Sequence, residues 1–330
     1  FALQDDISAA VPALAGKQVY VVIWTTTPWT IPANLAVALH PEFDYVALET
    51  EKGVLIVAEG LKDSFLAASG LTGGVIATFK AGLLERKRCK HPFYDRDSII
   101  LLGEHVTLEA GTGCVHTAPG HGHDDYELAL KEGLEVYNPV DNHGKYLSTV
   151  EFFGGQQVFA ANQSVIDKLT EVGALLLTSK ISHSYPHCWR CKKPIIFRAT
   201  EQWFISMKAN DLRKKALEAI DQVQWIPKWG RERIYGMIEN RPDWCVSRQR
   251  SWGVPITAFS CTACGEYIAD GNLMDHVANI FKEHSSDVWF DWSAEQLLPA
   301  GTKCPKCGAA SFEKENDILD VWFDSGVSHA

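Results

Sequence analysis

The run Val19-Tyr20-Val21-Val22-Ile23-Trp24-Thr25-Thr26-Thr27-Pro28-Trp29-Thr30-Ile31-Pro32-Ala33-Asn34 decides how the chain is read. Val19 to Trp24 has the length and β-branched content of one buried strand and falls well short of the roughly 18 apolar residues that span a bilayer. Pro28 and Pro32 then stop ladder pairing, so the backbone must turn and display three consecutive hydroxyls and free carbonyls. Outward from this run, strand-like stretches recur at Tyr45 to Leu48, Val54 to Ala58, Val75 to Phe79, Ile99 to Leu102 and Cys114 to Thr117. Helices are expected at Glu59 to Ala68, Asp124 to Glu132 and about Ala161 to Val172, closed by Gly70, Gly133 and Gly173. The expected class is α+β, beginning with a compact, β-barrel-like domain carrying peripheral helices.

A further strand, Ala174 to Ser179, leads into Tyr185-Pro186-His187-Cys188, where composition shifts to Trp, Arg and Cys. A boundary near residue 180 divides the chain into domains 1–180 and 181–330. The second is read as mixed α/β, with helices at Lys208 to Ile220 and Gly230 to Glu239 and a metal-organised insertion over about 259–313.

With 330 residues, 46% hydrophobic and 22% charged, the composition is that of a soluble globular protein large enough for two or three cores, and a cytoplasmic setting is expected. The chain starts at Phe1 with neither a basic start nor a long apolar stretch, which reads as a piece cut from a longer protein. A net charge of -10 means that any nucleic acid must be met by local patches. One candidate is Arg86, Lys87, Arg88 and Lys90; the other is Arg231, Arg233, Arg241, Arg248 and Arg250, interleaved with Trp229, Trp244 and Trp252. Solvated charge is the plain alternative for both.

Two segments carry chemistry. Thr25, Thr26 and Thr27 can hold a polar ligand, although a threonine-rich strand end with a proline turn is the bland alternative. The second is Gly111-Thr112-Gly113-Cys114-Val115-His116-Thr117-Ala118-Pro119-Gly120-His121-Gly122-His123-Asp124-Asp125-Tyr126. Its glycines allow close backbone approach, and of Asp124 and Asp125 at a helix start one can cap while the other is free to hold an ammonium group. His116 can shape a pocket or move protons. A rival reading makes His116, His121, His123 and the aspartates metal ligands, but the spacing matches no standard zinc motif, and a structural role is the default for His121 and His123.

Of nine cysteines, Cys261-x-x-Cys264 and Cys304-x-x-Cys307, each followed by Gly, make a complete set for structural zinc in a reducing compartment. Cys188-x-x-Cys191 is a half-site. Cys89, Cys114 and Cys245 read as core residues.

These segments, with Asn240 to Ile256 (NRPDWCVSRQRSWGVPI) and Asp320-Val321-Trp322-Phe323-Asp324-Ser325-Gly326, resemble in the same order the editing region of the isoleucyl-tRNA synthetase family, over essentially the whole chain. Valyl and leucyl relatives usually carry Thr-Thr-Arg-Pro where this chain has Thr26-Thr27-Pro28-Trp29, which favours the isoleucyl branch. The resemblance implies a second sieve. One methylene is worth roughly 1 to 3 kcal/mol, and isoleucyl enzymes, the standing worked case of this limit, reach only about 150-fold at the synthetic site, so a hydrolytic site must remove valine.

By the same resemblance, Asp125 would hold the α-ammonium of the misattached amino acid. Thr25, Thr26 and Thr27 would act on the ester, and Asn34, Trp29, Gly111, Thr112, Gly113 and Asp124 would meet the substrate and terminal adenosine, with His116 bounding the side-chain pocket. The partner would be the acceptor end of tRNA(Ile) carrying valine, alongside the remainder of the synthetase, with no membrane and a monomeric state. The Cys188–Cys191 pair would lack its partners here and bind zinc weakly or not at all. An ester is already activated, so positioning a water and stabilising the oxyanion suffice, and no Gly-x-Ser-x-Gly elbow occurs. His-x-Gly-His and Lys-Met-Ser-Lys-Ser are also absent, so no ATP site is expected. The competing functional readings are a zinc-bearing module that grips the tRNA acceptor end without hydrolysis, and a metal-dependent hydrolase built on the histidine loop.

Overall fold

Nine strands pair into one mixed sheet: β1 (Ala2–Leu3), β2 (Val19–Val21), β3 (Ala36–Leu39), β4 (Asp44–Thr50), β5 (Gly53–Ala58), β6 (Gly73–Lys80), β7 (Arg88–Lys90), β8 (Asp97–Leu102) and β9 (Cys114–Thr117), in the order β6-β4-β5-β2-β1-β7-β8-β3-β9. The computed structural model describes residues 1–329. Side-chain alternation divides the central strands between two clusters. Tyr45, Ala47, Val54, Ile56 and Ala58 enter one, whereas Val46, Leu48, Leu55 and Val57 join Phe65 in the other. Both faces are covered, so β4 and β5 are buried almost continuously rather than alternately. Helix α1 (Lys62–Ser69) carries Phe65 and ends at Gly70 in the left-handed conformation.

The order is linear, with β6 and β9 at its ends and no ladder joining them among the described residues, so the barrel closure expected from strand content is not seen. Strand propensity counts strands but is silent on connectivity. Here β2 runs parallel to β5 and β3 parallel to β8, which breaks the simple meander.

Helices α2 (His123–Glu132) and α3 (Val158–Glu171) follow. Val158, Ala161, Val165 and Leu169 of α3 lie at helical spacing on one face, against Trp29, Ile31, Tyr146 and Phe153. The strand expected at Ala174 to Ser179 pairs with nothing and forms no ladder. The first compact unit is Phe1–Thr200, and near its end Ala199 N–H donates to Gly120 O at 2.7 Å.

The second unit begins at Glu201. Helix α4 (Leu212–Gln222) starts later than expected because Asn210 and Asp211 adopt φ 52 and 56, and α5 (Trp229–Glu239) follows it. Strand β10 (Phe204–Ile205) pairs with β11 (Trp244–Cys245), and β12 (Ser247–Arg248) with β16 (Ile318–Leu319). Between them β13 (Phe259–Cys261) pairs with β14 (Tyr267–Ile268) and β15 (Phe312–Lys314). This three-stranded sheet packs with Leu273 and Val277 of α6 (Gly271–His284), and Asp270 caps that helix through two backbone N–H groups.

Candidate functional site

The threonine run and the glycine-rich run meet in one cleft of about 390 Å³, whose walls include Trp24, Thr25, Thr26, Thr27, His116 and Asp125. The chain leaves β2 and turns at once. Thr27 N–H donates to Thr25 Oγ1 at 3.0 Å, which leaves the Thr25 hydroxyl hydrogen to serve Thr27 Oγ1, 3.3 Å away, or a ligand. Pro28 to Ala33 then form a tight 3-10 turn with proline at its start.

His116 on β9 is wired from both ring nitrogens. Asn34 Nδ2 is pinned by donation to Ala36 O at 2.7 Å and donates also to His116 Nδ1 at 3.1 Å, so Nδ1 is the acceptor. The proton therefore sits on Nε2 and points at Thr30 Oγ1, 2.7 Å away, whose own hydroxyl donates to Thr27 O at 2.9 Å. Burial pushes the His116 pKa down to about 4. A neutral ring with both nitrogens occupied is a rigid wall of the cleft, not a proton carrier.

Asp125 lies in the first turn of α2, half-buried, and accepts the Ala118 N–H at 2.8 Å. Burial raises its pKa to about 6, with neighbouring Asp124 adding to the shift and the Ala118 hydrogen bond opposing it. Neither aspartate caps the helix as expected; Gly122 takes that position, which leaves Asp124 exposed and outside the cleft.

Other expected contacts are redistributed. Asn34 has no exposed surface and Trp29 is 3% exposed, and neither lines the cleft. The proline turn folds both inward, Asn34 onto His116 and Trp29 edge-on to His121, so they support the wall from behind. Gly111, Thr112 and Gly113 do line it. Gly113 has φ +71, and a Cβ there would lie 2.3 Å from Ala58 Cβ. Gly113→Ala is expected to cost about 3 kcal/mol through backbone strain and overpacking, read as a shift in urea midpoint, and an unchanged midpoint would sink this account. His105, Thr107 and Glu109 also line the cleft and were not singled out; their one signal in the sequence is adjacency to the Gly111 run.

The rival histidine metal site does not form: His121 Nδ1 bonds Phe197 O at 3.1 Å, and exposed His123 sits 3.3 Å from Glu127. The residues that could hold a metal ion among those described are Cys261, Cys264, Cys304 and Cys307, whose sulfurs all lie within 4.8 Å of one another. The Cys261–Cys307 and Cys264–Cys304 pairs are 3.6 Å apart, close to the roughly 3.8 Å that tetrahedral zinc with bonds of about 2.3 Å requires. Each knuckle is closed by the same backbone bonds, Gly265 N–H to Cys261 O and Gly308 N–H to Cys304 O. Lys192 N–H closes Cys188-x-x-Cys191 onto Cys188 O in the same way, yet no further ligand joins that pair among the described residues.

The basic patches are neutralised in part from within. Arg86 pairs with Glu132, Arg88 with Asp5, Lys90 with Asp95, Arg231 with Asp221 and Glu232, and Arg248 with Asp320. Arg241 lies over the Trp244 ring at 5.6 Å. The aromatic partners are the more open surface, with Trp252 90% and Trp229 64% exposed.

The family described as tRNA synthetases class I (I, L, M and V) matches residues 14–330, and the chain belongs to it. Within that family, the chain is 74% identical over 330 residues to the isoleucine–tRNA ligase of Geobacter sulfurreducens, and 63% identical over 331 aligned positions to that of Syntrophotalea carbinolica. In both cases all of this chain is covered and 36% of the relative, so the chain spans about a third of the length of these curated relatives. The crystal structure of the P. knowlesi cytosolic leucyl-tRNA synthetase editing domain is similar with a TM-score of 0.43 and 12% identity, covering 52% of this chain and 91% of that one, a likeness that bears on neither fold nor function. No helix among the described residues is long and apolar enough to cross a membrane.

Proposed function

We propose that the cleft hydrolyses the ester that joins valine wrongly to tRNA(Ile), as the editing part of a longer, monomeric, cytoplasmic isoleucyl-tRNA synthetase. The observation that carries this reading is a half-buried carboxylate, Asp125, on the same cleft as three threonine hydroxyls and a neutral, immobile histidine. In this reading Asp125 holds the α-ammonium. Thr25, Thr26 and Thr27 hold a water and the ester oxygens, and His116 limits the depth open to the side chain. Water attacks the carbonyl carbon, the carbon–oxygen bond to the ribose breaks, and the ribose oxygen leaves with a proton. The region 1–180 then serves as the editing domain and 181–330 as the connective region, with structural zinc on Cys261, Cys264, Cys304 and Cys307. The ATP-dependent attachment belongs elsewhere in the longer protein.

The test is deacylation of valyl-tRNA(Ile) by the chain, with isoleucyl-tRNA(Ile) in parallel. Release of valine alone supports the second sieve; release of neither by folded protein overturns it. The pH profile is a further expected result. The ammonium needs an ionised partner, and burial has raised Asp125 to about 6, so kcat/KM should climb as pH rises through about 6 and level off above it. A flat profile between pH 5 and 7.5 would remove Asp125 from that role.

A further inference from the structure

The loop Ala118–Gly122 carries much of the cleft's geometry: Ala118 N–H holds the Asp125 carboxylate, and His121 stands in the cleft wall. This loop is held from outside by a segment far away in sequence. Ala199 N–H donates to Gly120 O at 2.7 Å, and Phe197 O accepts from His121 Nδ1 at 3.1 Å. The segment Phe197–Ala199 belongs to no ladder, so side chains must fix it. Asn138 Nδ2 donates to Ala199 O at 2.7 Å, and Arg198 Nη1 donates to Val140 O at 2.9 Å. The loop is also gripped from the side of Asn138, since a Cβ on Gly120 would lie 2.4 Å from Tyr137 O and 3.0 Å from Asn138 Cα.

We infer that Phe197–Ala199 is a strap that sets the cleft's His121 wall, and that Asn138 and Arg198, which touch no cleft surface, are positioning residues for substrate discrimination. The inference rests on the hydrolytic reading above. Donation from Nδ1 to Phe197 O leaves the lone pair on His121 Nε2, which is buried with no protein partner. A buried acceptor without a donor is costly, so this ring orientation persists only while the strap holds it. With the strap released, the ring gains other orientations and the wall recedes, and a pocket that excludes isoleucine by one methylene loses its margin. The edge-on packing of Trp29 against His121, with ring centroids 4.9 Å apart, loosens with it.

Two variants of the whole chain test this. Arg198→Ala cuts one tie, and Asn138→Asp keeps the shape but places an acceptor against Ala199 O. Two quantities are read in each, the ratio of valyl- to isoleucyl-tRNA(Ile) deacylation and the ring-nitrogen NMR signals of His121 in ¹⁵N-histidine-labelled protein, assigned with His121→Gln. A loss of folded protein scales both rates equally and leaves their ratio alone. The strap predicts a ratio at least tenfold lower, through faster isoleucine release, and a change from a fixed Nδ1–H tautomer to an exchanging ring. An unchanged ratio and tautomer in both variants overturns the inference, as does a parallel fall of both rates with the tautomer kept. If the unaltered chain releases neither amino acid, the hydrolytic reading falls, and with it the discrimination role; the His121 signals still decide whether the strap holds the ring.

Discussion

Asp125→Asn is expected to lower kcat/KM for valyl-tRNA(Ile) deacylation by about 100-fold while leaving the fold in place. Asparagine keeps the shape and an oxygen that can accept the Ala118 N–H, which the native carboxylate takes at 2.8 Å, so loop and helix retain their junction. What disappears is the negative charge opposite the substrate's ammonium. A charge-assisted hydrogen bond in a partly dry site is worth about 1.5 to 3 kcal/mol, and about 2.7 kcal/mol corresponds to that factor. Burial has already disfavoured the charge, as the rise to about 6 shows. On the proposed reading the charge is kept for the ammonium it holds, since folding alone would favour the neutral amide. The measurement is single-turnover release of valine alongside a urea melt; wild-type rates in a folded variant would sink the assignment.

Cys304→Ser should abolish metal binding and melt the core of the zinc insertion. Cys304 is buried among Phe259, Leu297 and Phe312, so its sulfur belongs both to the four that could hold a metal and to the small core around it. Binding of structural zinc supplies about 10 to 16 kcal/mol in isolated finger peptides, more than a cluster of this size could replace. The expected signs are loss of stoichiometric zinc by elemental analysis and of near-ultraviolet dichroism from Trp289 and Trp292. Valine release should survive, because the cleft is built from residues of the other unit. Full zinc content in the serine variant would refute the four-sulfur site.

The sequence was most legible where a residue type has few uses. Two knuckles with glycine behind the second cysteine could be little else, and the structure brings all four sulfurs together. The threonine and glycine runs were singled out as well, and the structure brings them to one cleft. Their internal division of labour was not legible: Asn34 and Trp29 share the run with the threonines, yet a proline turn rotates them into the interior, and that rotation depends on contacts with His116, His121 and Asn162 that adjacency cannot reveal. The linear sheet order escaped for a related reason. Parallel pairing of β2 with β5 is a decision about crossovers, and β-branched content is the same whichever partner a strand finds. The ion pairs within the charged patches were not legible either, because the acidic partners lie up to 83 positions away in sequence.

The placement of β1 gives the threonine run its character. Among the described residues, this two-residue strand is the sole link in the ladder order between the group β6-β4-β5-β2 and the group β7-β8-β3-β9. The chain that leaves β2 must travel from the first group to the second to begin β3, and Thr25, Thr26 and Thr27 lie on that crossing. Amides and carbonyls on a bridge between two ladders are claimed by neither, so this crossing satisfies them through local turns and side chains, as Thr27 does with Thr25 and Thr30, and it is the threonine side chains that line the cleft, in the way that ligand crevices form where strand order divides. The cleft has the threonines of the crossing on one side and Cys114, Val115 and His116 of β9 on the other, so a ligand seated in it would brace the narrow seam from outside.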